Sequence, residues 1–164
     1  MGRGVVGFLV GLVVVSAALF GVLYMNRGSH VELKGEILKV RSLPDGDGAI
    51  VFADFRVTNA AAIPFVVNSV EMSMETPDGE VAKAVVFSKF DVQKVTRYLK
   101  LLGPQYNDVL SIQDKIPPLQ TVDRMAAGRF NFPPRFLQER KTLRLRIEEV
   151  GGVASEIVEK SATP

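Results

Sequence analysis

The chain has 164 residues, with 20 Lys and Arg against 18 Asp and Glu, one His and no Cys. A formal charge of +2, with the two signs interleaved, sets up no strong field for nucleic acid. A single histidine, His30, and the lack of cysteine exclude thiolate catalysis, structural zinc sites and a serine triad built around a histidine.

Residues 1–3 form a short leader. Gly4 to Met25 then carries no ionisable group except the Tyr24 phenol, and Arg3 and Arg27 bound it. About 20 apolar residues at ~1.5 Å rise cover a hydrocarbon core of ~30 Å, and in lipid a helix satisfies every backbone N–H and C=O. The expectation is a single transmembrane helix over 4–25, so that the lipid bilayer is the first partner. Ser16, Ala17 and Ala18 offer the small residues of a signal-peptide cleavage site. The apolar run continues through Leu19, Phe20, Val22 and Leu23, however, longer than the ~7–15 residues of a removable segment. A retained anchor is therefore expected, with Tyr24 as an interfacial aromatic. Gly7 and Gly11 are spaced for close approach of a second helix, although glycine is frequent in membrane helices without that role.

Orientation follows from two opposed considerations. Arg3 precedes the run while Arg27, Lys34, Lys39 and Arg41 follow it, a count that taken alone favours a cytoplasmic domain. Long domains translocate largely regardless of charge, and a cysteine-free chain is at home in an oxidising compartment. The expected location is the cell membrane, with the C-terminal domain extracytoplasmic, in the periplasm. No cysteine near the run is available for lipidation.

Residues 26–30 read as a linker, 31–158 as one domain and 159–164 as a flexible tail. Within the domain, 31–41 alternates imperfectly, with Val31 and Leu33 on one parity and Leu38 and Val40 on the other, which places a bulge at Gly35. Pro44 to Gly48 supplies Asp-Gly turn chemistry and predicts a hairpin. The clearest strand is 50–58, where Val51, Ala53, Phe55 and Val57 point one way and Asp54, Arg56 and Thr58 the other, so that one face is buried. After an interruption at 59–64, residues 65–75 resume the alternation, with Val70, Met72 and Met74 inward. Thr76 to Gly79 is a turn, and Glu80 to Phe87 should return antiparallel.

The period then changes. Ser88 and Asp91 fit a capping box, Val92, Val95, Leu99 and Leu102 recur at helical spacing, and Gly103-Pro104 ends the run. The spacing predicts an amphipathic helix over about 89–102. A connector over 105–119 closes at Pro117-Pro118. Strands follow at 121–132 and 141–150, the latter with Leu143, Leu145 and Ile147 inward and Arg144, Arg146 and Glu148 outward. Val153 to Val158 adds an edge strand. The expected fold is mainly β: an antiparallel immunoglobulin-like sandwich with one inserted amphipathic helix, preceded by a single transmembrane helix, with a closed barrel as the alternative.

Phe55-x-Val57-x-Asn59, then Pro64-Phe65, then Pro77-Asp78-Gly79, and later Gly128 to Pro133 before Leu143 to Ile147, resemble bacterial anchored immunoglobulin-like domains. The pattern, over about 31–150, is similar to the late-embryogenesis-abundant type 2 and telokin-like surface domains. The resemblance implies a sandwich without catalytic residues.

No residue pattern selects an active site, a metal site or a cofactor. Asp45 and Asp47 resemble a fragment of a calcium loop but lack its further oxygen ligands and closing Glu, so a plain turn is the reading, and the same holds for Asp78 and Glu80. Arg135, Arg140, Lys141, Arg144 and Arg146 form the densest basic run, and Lys89, Lys94, Arg97 and Lys100 surround the predicted helix. Each set reads first as a solvated face. As an interaction surface, the candidates are Lys94, Arg97, Lys100, Arg140, Arg144 and Arg146, facing anionic lipid head groups or an acidic partner. The expected function is a non-catalytic single-pass protein that binds other envelope proteins or serves as an accessory subunit of a membrane complex. The alternatives are a lipid- or small-ligand-binding domain with 89–119 as a lid, and a hydrolase using carboxylates.

Overall fold

The computed structural model describes residues 11–21 and 31–159. The chain divides into two units, Met1–His30 and Val31–Pro164. In the first, residues 11–21 form a helix, α1, whose residues are all exposed. Among the described residues no helix is long and apolar enough to cross a membrane. The leader, the rest of 4–25 with Gly7 and Tyr24, the linker with His30, and the chain beyond Glu159 lie outside the described residues.

The second unit is mainly β. β1 (Leu33–Asp45) and β2 (Gly48–Asn59) form the expected hairpin, closed by a two-residue turn between Asp45 and Gly48. Then come β3 (Phe65–Glu75), β4 (Val81–Lys83), β5 (Val85–Val86), a helix α2 (Lys89–Tyr98), a 3-10 turn (Lys100–Leu102), β6 (Lys115–Ile116), β7 (Gln120–Phe130), a short helix α3 (Arg135–Gln138), β8 (Thr142–Glu149) and β9 (Ala154–Val158). One sheet has the order β1-β2-β7-β5; the other runs β4-β3-β8-β9, with β6 added to β3. All pairings between these strands are antiparallel. The two sheets are separate, so the barrel alternative does not hold.

Alternation drives the packing. Val51, Ala53, Phe55 and Val57 of β2, Ala126 and Phe130 of β7, Met72 and Met74 of β3, Leu143, Leu145 and Ile147 of β8 and Ile157 of β9 are all buried in one cluster between the sheets. Burying the Val, Leu, Ile, Met and Phe side chains among them stabilises each such position by roughly 1.5–3 kcal/mol. Leu33 N donates to the buried Ser155 Oγ at 2.8 Å, which ties the β1 edge of one sheet to the β9 edge of the other.

Several local expectations are corrected. The register shift in β1 falls between Ile37 and Lys39 and not at Gly35. Gly35 is needed for a different reason: a Cβ there would collide with the Arg56 carbonyl oxygen of the neighbouring strand. The segment 80–87 is not one returning strand. β4 pairs with β3, Ala84 N donates to Met72 O at 2.9 Å, and β5 then crosses to β7 in the other sheet. The helix expected over 89–102 stops at Tyr98, because Leu99 leaves helical geometry at φ −105° and ψ 71°. The 3-10 turn then brings Leu102 into a buried position, and Gly103, at φ 77°, turns the chain out of it. Glu159 was assigned to the tail, yet its N–H bonds Leu143 O at 2.8 Å.

The largest correction concerns β2, where both faces are buried. Ile50 and Phe52, pointing away from the shared core, join Val92, Leu102, Val109, Met125 and Ala127 in a second cluster, with Leu43, Phe87, Val95 and Leu99 packed against it. The segment from α2 to Leu110 is therefore a third layer over the outer face of the first sheet.

Candidate functional site

The third layer is held by a buried charge pair. Arg41 of β1 and Asp54 of β2 sit diagonally across the hairpin, and Arg41 Nη2 meets Asp54 Oδ2 at 2.9 Å with the two side chains 10% and 5% exposed. Arg41 Nη1 donates to Leu102 O at 2.6 Å and Pro104 O at 2.9 Å, while Asn107 Nδ2 donates to Asp54 Oδ1 at 2.9 Å. The guanidinium also lies 4.8 Å from the Tyr106 ring centre and 5.4 Å from that of Phe52. Two side chains of the hairpin thus bond polar groups of the connector at 102–107, from the buried Leu102 to the exposed Pro104 and half-buried Asn107. Backbone bonds extend the attachment: Leu110 N donates to Met125 O at 2.8 Å and Met125 N to Asp108 O at 2.9 Å. Sequence reading missed this network. The available signal was Asp54 itself, a lone carboxylate on a strand face shared with Ile50 and Phe52.

Where the layer enters and leaves the sheet, a cleft opens. It has a volume of about 470 Å³ and is lined by Ser69, Val70, Val86, Phe87, Ser88, Leu110, Ser111 and Ile112. No ionisable side chain lines it, and its polar groups are serine hydroxyls; Ser88 Oγ donates to Asp91 Oδ2 at 2.6 Å, and Ser111 Oγ is buried without a partner among the described residues. Along the floor, β3 is engaged at Val67 by Gln113 and Asp114, and from Met72 onward by Ala84 and β4. Between those points, over 68–71, no described strand pairs with that edge. Apolar walls thus stand beside a strand edge that no described strand occupies.

The six candidate interaction residues do not form one surface. Lys94, Arg97 and Lys100 are exposed on α2 and the turn after it, over the first sheet. Arg144 and Arg146 lie on the outer face of the second sheet, among carboxylates: Arg146 is 3.4 Å from Glu148 and 3.8 Å from Glu71, and Arg144 is 3.8 Å from Glu75. Arg140 is occupied otherwise, bonding Glu159 at 2.6 and 2.9 Å and donating to Leu137 O at 2.7 Å at the end of α3. Of the remaining basic residues, Arg135 packs on the Phe136 ring and Lys141 lies 3.7 Å from Glu75.

The shifted titrations all mark structural contacts. Hydrogen bonding to Arg56 and its charge hold the Asp123 carboxyl below its usual range, and the same pair raises the guanidinium. Asp45 and Asp47, the calcium-loop fragment, instead hold Arg129, at 2.7 and 3.3 Å, and raise its pKa; Arg129 also bonds the Asn131 side chain. The Asp91 carboxyl is lowered by hydrogen bonds from the Ser88 hydroxyl and backbone, the expected capping box realised on both sides. Among the described residues, no group of three or more His, Asp or Glu side chains is placed to hold a metal ion.

No protein-family model matches the chain, and no curated protein matches it. Among solved structures it is similar to the X-ray structure of Northeast Structural Genomics Consortium target SoR45, at 12% identity over 79% of this chain and 80% of that one, with a TM-score of 0.34. A likeness that distant carries no argument about fold type or function.

Proposed function

We propose that this chain is a non-catalytic single-pass membrane protein that holds an immunoglobulin-like sandwich outside the cytoplasm, where it binds an envelope protein or serves as an accessory subunit of a membrane complex. The observation that carries the reading is the cleft: an apolar slot, free of ionisable side chains, beside strand edge 68–71 with no described strand on it. An extended partner segment gains backbone hydrogen bonds from such an edge and specificity from the pockets beside it. The apolar run at 4–25 supplies the anchor.

The test uses the full chain in its native membrane, with a photo-crosslinking side chain at Ile112 in the cleft or at Arg144 on the opposite sheet. The reading predicts a discrete adduct from position 112 that disappears in a Val86→Asp background, and none from position 144. Equal labelling from both positions would contradict it, and recovery of the mature chain from the soluble fraction would remove the anchor.

A second reading places a lipid or small ligand in the same cleft. It is favoured by the apolar lining and by the way the opening is bordered by Phe87–Ser88, just before the 89–119 segment, and by Leu110–Ile112 within it. Native mass spectrometry of the detergent-extracted protein tests it through a retained small-molecule adduct.

A further inference from the structure

We propose that the outward stripe of α2 and the turn after it rests on the surface of an anionic lipid bilayer. Phe90, Lys94 and Tyr98 recur at intervals of four residues, the spacing of one helical face, and that face is turned away from the buried Val92; Leu101 follows on the 3-10 turn. Phe90, Tyr98 and Leu101 are 63%, 77% and 87% exposed. A water-facing helix and turn have no structural need for three large apolar side chains this exposed.

Cations flank that line. Lys89, Lys94, Arg97 and Lys100 are all exposed, and none forms an ion pair among the described residues; Lys94 Nζ instead lies 4.3 Å from the centre of the Phe90 ring. The helix carries a single carboxylate, Asp91, which the capping box occupies. Arg144 and Arg146 on the other sheet show the contrast, since each is matched by Glu71, Glu75 or Glu148. A row of aromatic and aliphatic side chains edged by Lys and Arg that outnumber the one carboxylate of the helix is complementary to a negatively charged head-group layer over an acyl boundary. Beside the row, Thr96, Lys100, Gly103 and Pro104 line a shallow depression of about 350 Å³, with Lys100 placed to meet a phosphate. An acidic protein surface would match the charges but would leave Leu101 and Tyr98 without an apolar counterpart.

The inference rests on the reading that 4–25 hold the chain in a bilayer.

The chain has no tryptophan, so single-tryptophan variants report depth directly. The full chain is reconstituted into nanodiscs of phosphatidylcholine alone or mixed with phosphatidylglycerol, with Tyr98→Trp as the probe and Val81→Trp, on an edge of the second sheet, as the control. In anionic discs the Tyr98→Trp emission shifts to the blue, and brominated acyl chains quench it severalfold more than the Val81→Trp control. Adding Lys94→Glu, Arg97→Glu and Lys100→Glu returns the emission to that of water while the β-sheet circular dichroism is unchanged. Water-like emission of Tyr98→Trp in anionic discs that still carry the protein would overturn the proposal, as would equal burial in neutral and anionic discs. Release of the chain from discs of both kinds would overturn the anchoring itself, and the proposal with it.

Discussion

On the first sheet, Ile50, Phe52, Met125 and Ala127 point away from the shared core and are still almost wholly buried, because α2 and the connector through Leu110 lie over them. On the second sheet the corresponding outward positions of β3 and β8 hold Glu71, Glu75, Arg144, Arg146 and Glu148, which form ion pairs with one another. Both sheets are built from strands of period two, and only the chemistry of the outward residues differs. An apolar outward set recruits a third layer, whereas a charged set dispenses with one. The cleft and the exposed stripe of α2 both exist because a layer was added to the first sheet, and among the described residues no comparable layer covers the second.

The comparison can be broken first at Phe52. Phe52→Ala removes the central ring of the second core and should lower stability by about 4 kcal/mol, read by denaturant unfolding of the detergent-solubilised chain. A loss under about 1 kcal/mol would mean that the layer is loosely attached. Next is Asp54→Ala, which leaves the Arg41 guanidinium buried and should lower stability by about 3 kcal/mol. The double variant Arg41→Met with Asp54→Leu should recover much of that loss, since a buried pair costs desolvation that an apolar replacement avoids.

Ser88→Ala should cost about 1 kcal/mol by removing the α2 cap. This effect has a pH signature. The Asp91 pKa is depressed in the folded chain by the Ser88 hydroxyl and backbone, so the stabilisation is present above the usual aspartate value of about 4 and is lost as pH falls through the lower folded value. The gap between wild type and Ser88→Ala should therefore narrow in acid to what the Asp91 N–H bond to Ser88 Oγ supplies, and a gap independent of pH would contradict the carboxylate half of the capping box. Smallest is the bare face: Arg146→Ala should cost less than about 1 kcal/mol, and that cost should fade in high salt.

The sequence made the second sheet legible because over 143–148 each outward residue of β8 is charged and each inward one apolar, so alternation alone assigns Leu143, Leu145 and Ile147 to the core. The capping box at Ser88 and Asp91 was readable for the same reason, as its partners are three residues apart. What escaped was set by distant partners. Asp54 reads as an exposed member of an alternating strand until Arg41 and Asn107 are brought beside it, and nothing local shows that the face holding Phe52 will be covered. The sheet switch at Ala84 was hidden too, since Val81 to Val86 looks like one strand whichever sheet it joins. The six basic residues were grouped by charge, whereas the fold sends them to two faces and pairs three of them with carboxylates.

The central claim is that the segment from α2 to Leu110 is a permanent layer of the head. Native-state hydrogen exchange on the full chain in detergent tests this at the amides of Leu110 and Met125, which bond across the boundary at 2.8 and 2.9 Å. The account predicts that both exchange only through global unfolding, with the same opening free energy as amides of the β2–β7 ladder. Exchange of the Leu110 and Met125 amides by a separate, low-energy opening that leaves the ladder protected would show a movable lid and contradict it.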